Sequence, residues 1–365
     1  MLVDTTMKKH QLITELQSYG LKLIDHELGA AGRKGGAGPS DHKAVTVDGT
    51  TVMVPIFNSP AAQSPYTVNV GSSGEQMLEL HGEAIASIDF PHQPKFYSLT
   101  TADGIPYSKI ALLHSRDVLA TTVLQTCIRY GDIATSCQFC AIGQSLEAGR
   151  TIARKTPEQL AEVAEAAVRL DGVKHMVMTT GTPNTSDRGA AYLTECAKAI
   201  IARVNLPIQA QCEPPDDFVW FERMKAAEID SLGMHLEAAD PQVRAKIMPG
   251  KAMVPVEYYF KAFAAAVNVF GRGQVSTYLL AGLGDSLETL SDVSSSLIQI
   301  GVYPFVVPFV PITGTPLANH SAPKSEFMLT LYERVGAMLK RAGMSSEEIK
   351  AGCAKCGACS ALSNA

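Results

Sequence analysis

From about residue 118 onward, short apolar runs alternate with stretches in which apolar residues recur every three or four positions. The runs DVLATTVLQT, KHMVMTT, LPIQAQCE, DSLGMHLE, QVSTYLLAG and VYPFVVPFVP read as six strands. They are nearly continuous in apolar and β-prone residues, as strands covered on both faces must be. Between and after them lie helical patterns such as TPEQLAEVAEAAVRLDG, with Thr156 as its cap and Pro157 at its first position. The others are RGAAYLTECAKAIIARV, DDFVWFERMKAAE, VEYYFKAFAAAVNVFG, SLETLSDVSSSLIQIG and SEFMLTLYERVGAMLKRAG. Repeated strand–helix units imply a parallel sheet with right-handed crossovers. Six units, not eight, predict an α/β fold built as a partial (βα)6 barrel of the TIM type.

Residues 1–115 follow a different pattern. LITELQSYGLKLIDHEL places Leu12, Leu16, Leu21, Leu23 and Ile24 at helical spacing, with Gly20 as a break. GAAGRKGGAGPSDH reads as a loop, KAVTVDGTTVMVPIF as a hairpin turning at Asp48-Gly49, and KFYSLTTADGIPYSKIALLH as a second extended segment with a turn. The expected organisation is an N-terminal α/β extension (1–115), a barrel (116–320) and a C-terminal helix and tail (321–365).

Composition narrows the function. With 365 residues, 46% of them hydrophobic, and a formal charge of −5, the chain is globular, and nothing points to nucleic acid or an anionic membrane as partner. No apolar run reaches the length of a membrane span, and the N-terminus has no secretory pattern, so a cytoplasmic protein is expected. Six of the eight cysteines fall in two tight groups. In a reducing compartment such groups bind metal more often than they form bridges.

The first group, TCIRYGDIATSCQFCAIG, spaces Cys127, Cys137 and Cys140 as C-x9-C-x2-C at the end of the first barrel strand. Three thiolates would leave one iron of a [4Fe–4S] cluster without a protein ligand, which suits substrate chemistry. The position also fits, since β/α barrels place their chemistry at the C-terminal ends of strands. A zinc site completed by His175 or His235 is the competing reading of the same cysteines.

This group resembles the radical S-adenosylmethionine (SAM) superfamily, whose usual signature is C-x3-C-x2-C with an aromatic residue before the last cysteine. Phe139 takes the aromatic place, and the nine-residue spacer departs from the usual three. That spacer leaves open whether Arg129, Tyr130 and Asp132 line the site or face solvent. Further segments follow in the family's order over roughly residues 118–320. TTGTPN after strand two would supply Thr180, Gly181 and Thr182 to the SAM amino group. SLGMHLEAADPQVRAKIMPGK resembles the strand-four segment of biotin- and lipoyl-synthase-like members, with Glu237 as an acceptor and Arg244 as a carboxylate clamp; a salt bridge from Arg244 to Asp240 is the structural alternative. VSTYLLAGLGDS would bring Gly282 and Gly284 close to adenine, and VVPFVPITGTPL would bring Pro311 and Ile312. The resemblance implies reductive cleavage of SAM to a 5′-deoxyadenosyl radical, a flavodoxin- or ferredoxin-type reductant, and an unidentified small-molecule substrate.

The second group, GCAKCGACSAL, gives Cys353, Cys356 and Cys359 a dense, ferredoxin-like C-x2-C-x2-C spacing. It reads as an auxiliary Fe–S cluster in the C-terminal tail or as a zinc knuckle. Cys212 or Cys196, a non-cysteine ligand or the substrate would complete it. Sulfur insertion or a related C–H functionalisation is what the resemblance to biotin and lipoyl synthases implies, and the auxiliary cluster would donate sulfur, bind substrate or relay electrons. A non-catalytic Fe–S electron carrier or scaffold and a zinc hydrolase are the rivals. The glycine-rich loop lacks the strand and lysine register of a phosphate loop, and Glu213 is a polar group expected at the barrel mouth.

Overall fold

The computed structural model describes residues 9–23, 41–56, 61–70 and 75–364. Residues 29–40 of the glycine-rich stretch, and Ile24, lie outside the described residues. Helix α1 (Lys9–Tyr19) buries Leu12, Ile13 and Leu16 and ends where Gly20 turns left-handed at φ 77°. Beyond it Leu21 is buried and Lys22–Leu23 form a short strand, β1, so the helical spacing does not continue past Gly20.

The hairpin forms as its pattern predicts. Strands β2 (His42–Val47) and β3 (Thr50–Pro55) pair antiparallel, and Asp48 and Gly49 take φ 47° and 76°, the double left-handed turn whose twist matches a hairpin. A meander of β4 (Tyr66–Val70), β5 (Gln76–Leu80) and β6 (Glu83–Asp89) completes a six-stranded sheet in the order β1-β4-β5-β6-β2-β3. The segment from 95 to 114, expected to be extended, is mostly turned. Asp171 accepts the N–H groups of Lys95 and Phe96 at 2.8 and 2.9 Å and starts a 3-10 turn, and helix α2 (Tyr107–Ile110) follows.

Strand β7 (Leu112–His114) then runs antiparallel to β8 (Val118–Thr122) and belongs to the barrel sheet, not to the N-terminal extension. The link between them is a tight turn with Ser115 at φ 57°. The remaining strands are β9 (His175–Thr179), β10 (Ile208–Gln211), β11 (Ser231–Gly233), β12 (Val275–Ala281) and β13 (Val302–Pro308). Their spatial order is β13-β12-β11-β10-β9-β8-β7, and β8 to β13 are parallel throughout, the sequential order of a partial barrel.

Helices α3 (Gln144–Glu147), α4 (Pro157–Asp171), α5 (Ala190–Ile201), α6 (Val219–Ala226), α7 (Pro241–Ile247), α8 (Pro249–Ala252), α9 (Val256–Phe270) and α10 (Leu287–Gln299) connect the strands, and α11 (Ser325–Arg341) follows the last. Thr156 and Gln159 form a reciprocal capping box on α4, which fixes its start at Pro157. Among the described residues, no helix is long and apolar enough to cross a membrane.

The tail crosses the N-terminal ends of the strands and then turns into the barrel. Ser231 donates to the Ala351 carbonyl at 2.7 Å, the Gly352 N–H donates to His175 Nδ1 at 3.2 Å, and the Cys353 N–H donates to Gln209 at 3.1 Å. A short helix α12 (Cys353–Cys356) follows, and Ser360 donates to the Val306 carbonyl in the middle of β13. From the other side, Gln17 of α1 and the Met53 N–H of β3 both donate to the Ala358 carbonyl, at 3.0 and 2.8 Å. The N-terminal sheet and the tail thus meet beside the open edge of the barrel, between β13 and β7.

Candidate functional site

After β8 the chain leaves the sheet, and residues 127–140 form the lengthened loop. It is ordered by its own hydroxyls: Thr135 and Ser136 both donate to the Arg129 carbonyl, at 3.0 and 2.9 Å, while Asp132 caps the N–H of Ala134 in an exposed turn. The loop docks on α7 and α8 through Gln138 N–H to the Ile247 carbonyl and Gly250 N–H to the Thr135 carbonyl. The nine-residue spacer is therefore a packed element. Of its three unplaced residues, Asp132 faces solvent, Tyr130 packs over Gly143, and Arg129 turns inward.

Cys127, Cys137 and Cys140 line one cavity of about 300 Å³ at the C-terminal ends of the strands. Thr180, Gly181 and Thr182 line it from the end of β9 and Glu237 from the segment after β11, and Phe139 and Ile312 also line it. Gly181 has no substitute here, because a Cβ would lie 2.2 Å from the Thr126 carbonyl oxygen. Glu237 holds a left-handed φ of 68°, pinned by bonds from its N–H to the Tyr278 carbonyl and from the Leu280 N–H to its own carbonyl, at 2.8 and 2.7 Å. A non-glycine residue in that conformation needs such enforcement.

The charges of the cavity are paired. Arg129 grips Glu213 with two bonds, 3.0 and 2.7 Å, and Thr182 donates to the same carboxylate at 2.7 Å. Burial pushes the Glu213 carboxyl up, but Arg129, Lys251 and Thr182 together hold it below its ordinary value. Lys251 donates to Glu237 at 2.8 Å; burial works against its charge, and the nearby Glu237 outweighs that and raises its pKa. Burial also pushes the Cys137 thiol well up and the Cys140 thiol to about 11. Thiols so placed are protonated and unreactive until a metal centre displaces the proton.

Arg244 does not clamp anything in this cavity. It is 1% exposed and spends its guanidinium on the main-chain carbonyls of Leu236, Ala238, Lys251 and Val254, with Tyr259 stacked beside it. It forms no bridge to Asp240, whose carboxylate caps α7 instead. The cations facing the cavity are Lys251 and Arg129, and Lys251 carried no sequence signal beyond its type. Gly282 and Pro311 line neither this cavity nor the one beneath it. Gly282 adopts φ 107° against Pro323, and Gly284 adopts φ 135° against Val243.

A second cavity of about 300 Å³ occupies the lumen below, and Cys353 and Cys359 line it. Phe139, Thr179, Gln211, His235, Glu237 and Ile312 line both cavities, so the two adjoin, with Cys127, Cys137 and Cys140 on the upper and Cys353 and Cys359 on the lower. The alternating glutamines of β10 point inward: Gln211 donates to Gln209 at 2.7 Å and to the Cys353 sulfur at 3.2 Å, and Gln209 donates to Ser276 at 3.1 Å. That polar alternation in IQAQ was the available signal for a lumen-facing ladder. Tyr278 stacks on His235 with ring centres 4.2 Å apart and hydrogen-bonds Cys353. Burial and then Lys251 lower the His235 pKa to about 3, so the ring is neutral.

Cys212 lines only the upper cavity, with its thiol pushed by burial to about 12, and Cys196 is buried on α5. Among the described residues, no group of three or more His, Cys, Asp or Glu side chains converges at single-ion spacing. A four-iron cluster takes each thiolate on a different iron, and so from a wider ring than one ion does. Three thiols around a cavity fit that requirement.

Residues 134–296 match the model of the radical SAM superfamily, a span that holds Cys137, Cys140, Thr180–Thr182 and Glu237. A bacteriochlorophyllide c C-7(1)-hydroxylase from Chlorobaculum limnaeum is 26% identical over 297 residues, covering 75% of this chain and 73% of its own. Among solved structures, methylornithine synthase shares 17% identity at a TM-score of 0.44, covering 62% of this chain and 69% of its own. A radical SAM methyltransferase from Sphaerobacter thermophilus shares 16% at a TM-score of 0.46, covering 77% and 75%. The radical SAM match lies over residues 134–296, on a parallel barrel with all three thiols at its strand ends, and supports an enzyme that works with a [4Fe–4S] cluster and SAM.

Proposed function

We propose that Cys127, Cys137 and Cys140 hold the SAM-cleaving cluster, that Cys353, Cys356 and Cys359 hold an auxiliary iron–sulfur cluster at the lumen floor, and that a small molecule is functionalised at a C–H bond between them. The observation that carries this reading is the shared lining: six residues face both cavities, so whatever the two groups hold acts on one space. When bound, the cluster and SAM supply a carbon radical that takes a hydrogen atom, and the protein supplies position and dryness.

SAM would sit against Thr180, Gly181 and Thr182, with Phe139 and Ile312 flanking its adenine. Glu237 would accept from its amino or ribose groups. Lys251, not Arg244, is the cation placed for its carboxylate. Lys251 is paired with Glu237, and the Arg129–Glu213–Thr182 network keeps the cavity's other carboxylate ionised and turned to the protein.

The lower cavity favours a largely apolar, uncharged substrate. Its lining includes Met53, Leu280, Val307 and Phe309, and its single charged side chain, Glu237, is already paired with Lys251. His235 offers one polar handle. Its Nδ1 accepts the Tyr278 N–H, which leaves the proton on Nε2, and Nε2 is buried without a partner. Sulfur insertion is the finer reading, supported by Cys353 and Cys359 lining the substrate space. The hydroxylase relative fits the broader class, functionalisation of carbon. Residues 116–320 would carry the chemistry, with 1–115 and 321–365 closing the barrel, and a flavodoxin- or ferredoxin-type donor would supply the electron.

Iron counting after anaerobic reconstitution tests the pairing. Wild type should hold about eight irons, the total of two [4Fe–4S] clusters, and the Cys353/Cys356/Cys359→Ala triple variant about half. Equal iron in both would remove the auxiliary cluster.

A further inference from the structure

The lower cavity takes part of its wall from the N-terminal extension: Gln17 from α1, His42 from β2 and Met53 from β3. Gln17 is 2% exposed. Its Nε2 donates to the Ala358 carbonyl at 3.0 Å, and the Met53 N–H donates to the same oxygen at 2.8 Å. A carbonyl only accepts, so the amide must offer its NH2 group to Ala358, and the atom left over is oxygen. That Oε1 is buried without a hydrogen-bond partner among the described residues.

An acceptor left unpaired in the interior costs stability, so a lone oxygen on a cavity-lining side chain asks for a donor from whatever fills the cavity. A cluster on the tail would not provide one, because thiolates and sulfides accept hydrogen bonds and donate none. The other polar groups of the lining are committed elsewhere. Glu237 is paired with Lys251, Gln211 gives its amide N–H groups to Gln209 and Cys353, and Tyr278 bonds Cys353. His42 and His114 have interactions of their own, and Thr179 stands at the junction with the upper cavity. His235 keeps a group free, but of the opposite sense: its Nδ1 accepts the Tyr278 N–H, so its Nε2 donates.

The fold fixes where this acceptor stands. Gln17 lines the lower cavity alone, whereas His235 lines both cavities. The free oxygen therefore belongs to the part of the space away from the upper cysteines, where the extension meets the tail. It is held there by the Ala358 bond and by α1, which buries Leu12, Ile13 and Leu16 and so anchors the helix that carries it.

We propose that Gln17 is a specificity-determining residue: its Oε1 accepts from a hydroxyl or amide N–H on a neutral, otherwise apolar substrate held in the lower cavity. This rests on the lower cavity being the substrate space, as proposed above, and adds a recognising residue and a chemical requirement to it. The substrate's donor end lies at Gln17, and the C–H bond to be opened lies away from it, toward the upper cavity. The N-terminal extension then selects substrate as well as closing the barrel.

The test uses the full-length, anaerobically reconstituted protein with SAM bound and no reductant, so that the upper cavity is filled and nothing reacts. The probes are 2-naphthol and 2-methoxynaphthalene, which share a ring system and differ in whether the oxygen can donate. In calorimetry, Gln17→Met, close in size and without a carbonyl, should weaken 2-naphthol binding about tenfold, the scale of one buried hydrogen bond, and leave 2-methoxynaphthalene unchanged. Should Gln17→Met fail to fold or to hold its iron, a crystal structure of the wild-type complex decides: the naphthol hydroxyl should lie within about 3.0 Å of Gln17 Oε1. Equal effects on the two probes, no effect on either, or a naphthol seated in the lower cavity with its hydroxyl turned elsewhere overturns the role of Gln17 alone. Failure of both probes to enter the lower cavity overturns the substrate space and Gln17 with it.

Discussion

At the scale of single residues, the site divides into groups that sequence spacing identifies and groups that only packing identifies. The cysteines belong to the first kind, and Gly181 is reached through the family resemblance of TTGTPN. The fold adds the physical reason at Gly181, the 2.2 Å approach that a Cβ there would make to the Thr126 carbonyl oxygen. The SAM cation belongs to the second kind. Arg244 and Lys251 lie on successive short helices, and nothing in their sequence says which turns to the cavity. The fold buries Arg244 as a brace of four carbonyls, including that of Lys251 itself. Two variants separate the roles. Lys251→Gln keeps a donor for Glu237 but removes the charge, and SAM binding by calorimetry should weaken by about 1–3 kcal/mol, the scale of a lost charge-assisted bond. Arg244→Lys should cost folding stability in denaturant by about 1–3 kcal/mol, from buried carbonyls left unpaired, with SAM affinity changed less than in Lys251→Gln. The reverse pattern would return the clamp to Arg244.

At the scale of elements, the barrel was legible because buried parallel strands are written as apolar runs and the helices between them as amphipathic ones. The meander β4–β6 has no clear signature in the sequence. Its strands are half-exposed, as in EAIASID, and carry too little apolar character to stand out. The antiparallel β7 joins the barrel sheet from within residues 1–115, and three residues are too few to show a periodicity. The path of the tail was unreadable for a different reason: it depends on long-range contacts such as Gly352 with His175 and Cys353 with Gln209. Those contacts turn on one glycine. Gly352 holds φ 113°, and a Cβ there would lie 2.2 Å from the Gln209 side chain, whose amide receives the Cys353 N–H. Gly352→Ala should therefore displace the tail entry. Reconstituted protein is expected to lose iron toward half of the wild-type content while still cleaving SAM to 5′-deoxyadenosine. Full iron content in that variant would mean that the tail's position does not depend on this entry.

At the scale of the whole molecule, the barrel supplies an incomplete wall and the chain ends supply what is missing. The N-terminal helix and sheet meet the tail at Ala358, the tail enters from the N-terminal ends of the strands, and cysteines of both groups line adjoining cavities that share six residues. Everything proposed about substrate and sulfur depends on SAM being cleaved at the upper group. The most direct measurement is 5′-deoxyadenosine formation by anaerobically reconstituted protein with dithionite and SAM, comparing wild type, Cys137→Ala and the Cys353/Cys356/Cys359→Ala triple variant. Cys137→Ala should form none while the triple variant continues to form it. Wild-type rates in Cys137→Ala, or loss confined to the tail variant, would contradict the assignment.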